Sequence, residues 1–116
     1  LDTRGRILLL EDRGEKPYRV DRMLLQLRQA GKLASIAGLL LGGFQVGQSG
    51  EDDLPEQEPM EEVLRQNTKD LTVPVACGLP VGHGRHNLPV PLGVSAEMDG
   101  RKGRVSILEP AVNPCE

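Results

Sequence analysis

The apolar positions of this chain come in short clusters, and two periods alternate among them. Ile7 to Leu10 is a continuous apolar run inside Gly5 to Glu11, bounded by polar residues, and predicts a buried strand. Val20, Met23, Leu24 and Leu27 then repeat at i, i+3, i+4 and i+7, one face of a helix. Pro17 stands where a first helical turn accepts it, and Gly31 is a natural C-terminal stop. Arg19, Asp21, Arg22 and Arg28 lie off the apolar stripe. Ile36 to Leu41 predicts a second buried strand, ending at Gly42-Gly43-Phe44. Gln45 to Pro59 is rich in Gly, Ser, Glu, Asp and Pro and predicts a mobile loop. Met60 to Leu71 predicts a helix with Met60, Val63 and Leu64 on its apolar side. Val73 to Cys77 predicts a third strand, and Pro74 within it points to a sheet edge or a bulge. Gly78 to Asn87 is a glycine-rich loop that carries both histidines. Val90 to Met98 and Arg104 to Leu108 flank Asp99-Gly100-Arg101-Lys102-Gly103, a hairpin signal. The tail from Pro110 to Glu116 holds two prolines and is expected to be loosely held. The order βαβ, helix, strand, loop, hairpin predicts a small α/β domain with a mixed sheet.

Composition narrows the function classes. The 116 residues suit one domain. One Phe, one Tyr and no Trp leave the core to aliphatic side chains. The net charge of -3, with both signs interspersed, gives no basic footprint for nucleic acid and no cationic amphipathic helix for a membrane surface. No apolar run reaches the ~18 residues a membrane span requires. Cys77 and Cys115 form no CxxC pair and have no metal-ligand spacing around them, so the cytosol suits the chain. The chain opens on Leu1 and shows no signal peptide; it reads as cut at its N-terminal end.

Two residues stand out chemically. Glu11 follows the apolar run of the first strand, at the end where open α/β sheets bind ligands. A carboxylate there needs a partner. Lys16 or Arg19 would make it a structural ion pair, whereas an imidazole would make it an orienting group. His83 lies in Gly82-His83-Gly84, where flanking glycines allow a sharp turn that presents the ring. Its spacing fits either a surface loop histidine or a general acid-base group. His86 follows at three residues, and a His-x-x-His metal pair lacks a third ligand of recognisable spacing. A carboxylate and an imidazole on strand-end loops are two-thirds of a hydrolytic triad. The nucleophile is missing: Ser35, Ser49, Ser95 and Ser106 do not sit in G-x-S-x-G, and Cys77 fits a structural thiol as well as a reactive one.

The run ILLLEDRGEKPYRVDRMLLQLRQAGKL, the segment IAGLLLGGF and the segment VPVACGLPVGHGRHNLPVPLGVSAEMD resemble the C-terminal domain of the LD-carboxypeptidases, the S66 family of serine peptidases. The likeness runs from about Gly5 to Asp99 with the motifs in the family's order. The resemblance implies a three-layer β/β/α swivelling domain, and cleavage of the L,D amide before a terminal D-alanine in murein tetrapeptides. It implies cytoplasmic cell-wall recycling, a homodimer, and no metal or cofactor. A related branch hydrolyses a peptide-nucleotide antibiotic. The implied triad is Ser-Glu-His: Glu11 matches the glutamate, His83 the histidine of the GHG motif, and the serine belongs to an N-terminal domain with no counterpart here. On that reading, residues 1–116 form the C-terminal domain alone. Glu15, Arg19 and Arg22 lie in the matched run, where Arg19 or Arg22 would either bind a substrate carboxylate or form a structural ion pair. The family's G-D-F reads Gly42-Gly43-Phe44 in this chain, so no side chain at position 43 carries an acid's role. A non-enzymatic carrier or binding module using His83 is the rival of a different class.

Overall fold

A computed structural model of the chain describes residues 1–45 and 59–112. Strand β1 (Ile7–Arg13) is followed by helix α1 (Pro17–Gln29), strand β2 (Gly38–Gln45), helix α2 (Met60–Thr68) and strand β3 (Val75–Cys77). Strands β4 (Ala96–Asp99) and β5 (Arg104–Ile107) complete the order. The first three strands form a parallel sheet in the order β1-β2-β3, and β4 and β5 form a separate antiparallel hairpin. The parallel and antiparallel pairings expected of a mixed sheet are both present, divided between two sheets.

Side-chain alternation along the strands separates three layers. Leu39 and Leu41 of β2, with Leu8 and Leu10 of β1, face the helices and pack against Val20, Leu24, Met60, Val63 and Leu64. Ile7, Leu9 and Leu40 face the other way, toward Met98, Val105 and Ile107 of the hairpin, and line a cavity of about 550 Å³ between the two β layers. Hairpin and sheet meet closely at one end, where a Cβ on Gly38 would stand 2.8 Å from Met98 Sδ. Leu39 and Leu41 are fully buried, each contributing on the order of 2 kcal/mol by removal from water. The core is aliphatic, as the composition requires.

Several element ends differ from those read in the sequence. The β2 strand runs on through Gly42-Gly43-Phe44 instead of stopping there. Its pairing explains why: Leu10 pairs with Leu41 and Asp12 with Phe44, so Glu11 stands opposite both Gly42 and Gly43. The glycines form a bulge inside the strand rather than its end. Likewise β1 continues past Glu11 to Arg13. The α1 helix ends in a paired cap, with Gly31 N–H donating to Arg28 O at 3.0 Å, Lys32 N–H to Leu27 O at 2.9 Å, and Gly31 at φ 71°. Met23 is exposed, whereas Val20 and Leu24 are buried; the buried stripe is narrower than the sequence suggests. The α2 helix stops at Thr68, three residues early. Asn67 turns its side chain to Asp21 Oδ1 (2.7 Å) and Arg28 reaches Asn67 O (2.6 Å), which ties the ends of the two helices together. Strand β3 is an edge strand among the described residues, with Pro74 just before it. Pro74 has no N–H to give, and its carbonyl accepts from Leu39 N–H at 3.0 Å. Val90 to Ser95 lies outside the hairpin, in line with the prolines at 89 and 91.

Candidate active site

Parallel pairing brings the carboxyl ends of β1, β2 and β3 to one edge of the sheet. Glu11 stands there on β1, and the loop after β3 returns to the same edge. Three backbone hydrogen bonds guide that loop: Leu79 N–H to Leu41 O (3.3 Å), Gly43 N–H to Val81 O (2.9 Å) and Leu88 N–H to Pro80 O (2.7 Å). The loop therefore continues beside β2 through its bulge. Gly42 makes this approach possible: a Cβ there would lie 2.6 Å from Val81 O and 3.2 Å from Glu11 Cβ. At Gly43 a Cβ would meet nothing closer than Gly84 N at 3.4 Å. The backbone N–H of Gly43 is used, while its lack of a side chain is not demanded by space.

The result is a carboxylate–imidazole pair drawn from segments 72 residues apart. Nδ1 of His83 lies 2.8 Å from Oε2 of Glu11. A carboxylate only accepts, so Nδ1 carries the proton and donates it to Glu11, which leaves Nε2 as the basic nitrogen. The imidazole is 46% exposed and the carboxylate 31% exposed, so the pair sits at an open rim rather than in the core. Gly82 is required by both space and conformation. Its φ is 103°, and a Cβ would stand 2.5 Å from Glu11 Oε2. The sequence points to the glycines around His83 as a means of turning the chain; the closer purpose of Gly82 is to let a carboxylate pass.

The geometry gives Glu11 an imidazole partner in His83, and Arg19 turns to Glu15 instead. Arg19 Nη1 lies 3.4 Å from Glu15 Oε2 across one turn of α1. Tyr18, and then Glu15, hold the Arg19 guanidinium above its ordinary pKa. Arg22 lies over the Tyr18 ring, 5.4 Å from its centroid. The start of α1 follows the carboxyl end of β1, so Glu15 and Arg19 belong to the same end of the sheet as Glu11. Asp12 shapes that corner by accepting the Glu15 N–H at 3.0 Å. His86 is exposed and makes no side-chain hydrogen bond among the described residues. Among those residues no three His, Cys, Asp or Glu gather into a metal-binding group. Cys77 is a free, exposed thiol at the end of β3; Ser49 and Cys115 lie outside the described residues.

Two residues of this corner carry no obvious signal in the sequence. Asn87 Oδ1 accepts the Gly82 N–H at 3.1 Å, and the Gln45 side-chain amide donates to the His83 carbonyl. Both act through loop backbone, which no motif spacing marks.

The described residues thus form an α/β domain that presents a carboxylate-bound imidazole at the carboxyl edge of a parallel sheet. Residues 1–98 match the LD-carboxypeptidase C-terminal domain, and the chain belongs to that family. It is 43% identical over 110 residues to a putative carboxypeptidase of Synechocystis, covering 92% of this chain and 35% of the relative. It is 35% identical over 115 residues to a probable murein peptide carboxypeptidase of Bacillus subtilis, covering 97% of this chain and 34% of the relative. The crystal structure of muramoyltetrapeptide carboxypeptidase from Oxalobacter formigenes superposes with a TM-score of 0.71 at 35% identity, over 88% of this chain and 35% of that one. A microcin C7 self-immunity protein superposes with a TM-score of 0.78 at 24% identity, over 95% of this chain and 32% of that one, and so shares the fold. The chain spans about a third of the length of the relatives it matches. Among the described residues no helix is long and apolar enough to cross a membrane.

Proposed function

We propose that this chain is the C-terminal domain of a serine carboxypeptidase acting on murein tetrapeptides, in which it supplies Glu11 and His83 of a Ser-Glu-His triad. The Nδ1–Oε2 contact of 2.8 Å is the observation that carries this reading. Glu11 holds the tautomer with Nε2 unprotonated and stabilises the imidazolium that forms when Nε2 takes the serine proton. His83 then returns that proton to the leaving amine of D-alanine. The serine and the N–H groups that would stabilise the oxyanion belong to an N-terminal domain outside this chain. The murein substrate class rests on the names of the Bacillus and Oxalobacter relatives. The homodimer and the cytoplasmic setting implied by the family belong to the same proposal.

Glu15, Arg19 and Arg22 enter it as residues that face the substrate. Arg19 is already engaged by Glu15, whereas Arg22 has no ion-pair partner among the described residues. Arg22 is therefore the cation with charge to offer a terminal carboxylate, and Glu15 with Arg19 would hold the start of α1 in place.

The test is made on the full-length enzyme with a murein tetrapeptide. His83→Ala lowers kcat by several orders of magnitude, on the scale of losing a triad base, and His86→Ala leaves it nearly unchanged. The reverse ranking rejects the assignment. Turnover of a peptide-nucleotide in place of the murein peptide would keep the mechanism and move the enzyme to the amidase branch. Turnover of neither substrate by the unmodified full-length protein would leave a binding module.

A further inference from the structure

We propose that Gln45 is a positioning residue for His83; the inference rests on the triad reading above and deepens it. His83 lies between two glycines, and Gly82 adopts φ 103°. Glycines on both sides leave the segment that carries residue 83 with little conformational preference of its own. A base held in such a segment must be anchored from outside if its ring is to stay aligned with Glu11. The carboxylate cannot do this alone. Its single hydrogen bond among the described residues is to the ring, and the pair is partly exposed, where one hydrogen bond contributes only about 1 kcal/mol net.

Gln45 supplies the anchor. It is the last residue of β2, and its side-chain Nε2 donates to the His83 carbonyl. Its own carbonyl accepts the Gly14 N–H at 2.8 Å, just past the end of β1, and its backbone pairs with Arg13. One residue thus holds both halves of the pair: the end of the strand that carries Glu11 through its backbone, and the loop that carries His83 through its side chain. The other bridges between β2 and this loop, Leu79 N–H to Leu41 O and Gly43 N–H to Val81 O, both lie before His83 and on the far side of Gly82. With Gln45 removed, the backbone of residue 83 is held only through Gly82, which Asn87 Oδ1 anchors, and the ring only by Glu11, among the described residues.

The test compares Gln45→Met, which keeps length and removes the donor, with Gln45→Glu, which keeps shape and opposes an acceptor to the His83 carbonyl. Both are placed in the full-length enzyme and assayed on a murein tetrapeptide beside wild type and His83→Ala. The expected result is a fall in kcat of roughly tenfold or more in each, because a small displacement of a catalytic group is enough to cost that much. KM should stay within about twofold, since the substrate loses no contact. The downfield proton resonance of the His83 Nδ1–H, absent in His83→Ala, should broaden or vanish in both Gln45 variants while the melting temperature holds. Gln45→Arg, which restores a donor of sufficient reach, should recover part of kcat. Unchanged kcat and an intact resonance in Gln45→Met, with His83→Ala inactive, would overturn the role of Gln45 and leave the triad standing. An active His83→Ala would overturn both.

Discussion

At the scale of single residues, the site is a problem of fitting a carboxylate beneath a loop. Glu11 Oε2 occupies space that any side chain at 82 would claim. Gly42 clears the other flank, so Glu11 can approach His83 only because two glycines from different segments give way. The role of Glu11 is separable from its packing. Glu11→Gln preserves shape but can turn an amide N–H toward Nδ1, which favours the tautomer with the proton on Nε2. That tautomer cannot accept a serine proton. A loss in kcat of at least ~100-fold is expected in the full-length enzyme, in the direction of the triad aspartate-to-asparagine change. Because the carboxylate is partly exposed, the melting temperature should hardly move. Normal kcat with a lowered melting temperature would instead make Glu11 a structural partner.

At the scale of elements, the helices serve the site indirectly. The α1 and α2 helices cover one face of the sheet, and the first and last turns of α2 are tuned by charge. Glu61 and Glu62 occupy the first turn of α2, where the helix dipole favours anions. Arg65, and then Gln66, donate to Glu62 and lower its pKa from 4.5 to about 2. A carboxyl group with a lowered folded-state pKa stabilises the fold fully above its unfolded value. That contribution is lost as pH falls through the folded value. Wild type and Glu62→Gln should therefore differ in melting temperature at pH 5, and the difference should shrink steadily toward pH 2. Raising salt should reduce it throughout, because the pair is solvent-exposed. A difference independent of pH would assign the effect to shape instead of charge.

At the scale of the whole molecule, the three layers give the chain its own aliphatic core, while the proposed site opens outward with Nε2 unpaired among the described residues. The core predicts autonomous folding, and the half-built site predicts that folding alone is insufficient. The purified chain should show a cooperative thermal transition and no turnover of a murein tetrapeptide, with turnover appearing when the N-terminal domain is joined to it. Hydrolysis by the chain alone that survives Ser49→Ala and Cys77→Ala would place the nucleophile elsewhere within these residues.

Periodicity determined the elements and their order, because alternation and the 3.6-residue repeat are local properties that burial merely exploits. The Val20–Leu24 stripe, the run Leu39 to Leu41 and the hairpin around Gly100 were all legible in that way. Strand-end position and paired glycines marked Glu11 and His83 as candidates and resemblance gave them triad roles, but their contact was a matter of tertiary structure, since a bond spanning 72 positions leaves no trace in spacing. Element ends were lost where local chemistry is ambiguous. Gly42-Gly43 reads as a stop and becomes a bulge, because the decision depends on Glu11 lying opposite and on the Val81 loop approaching from the side. Gln45 illustrates the remainder. In sequence it is a polar residue at the start of a loop. Only the parallel pairing of β1 with β2, and the return of the chain after β3, place its amide against the His83 carbonyl, where a hydrogen bond can restrain a segment that its own glycines leave free.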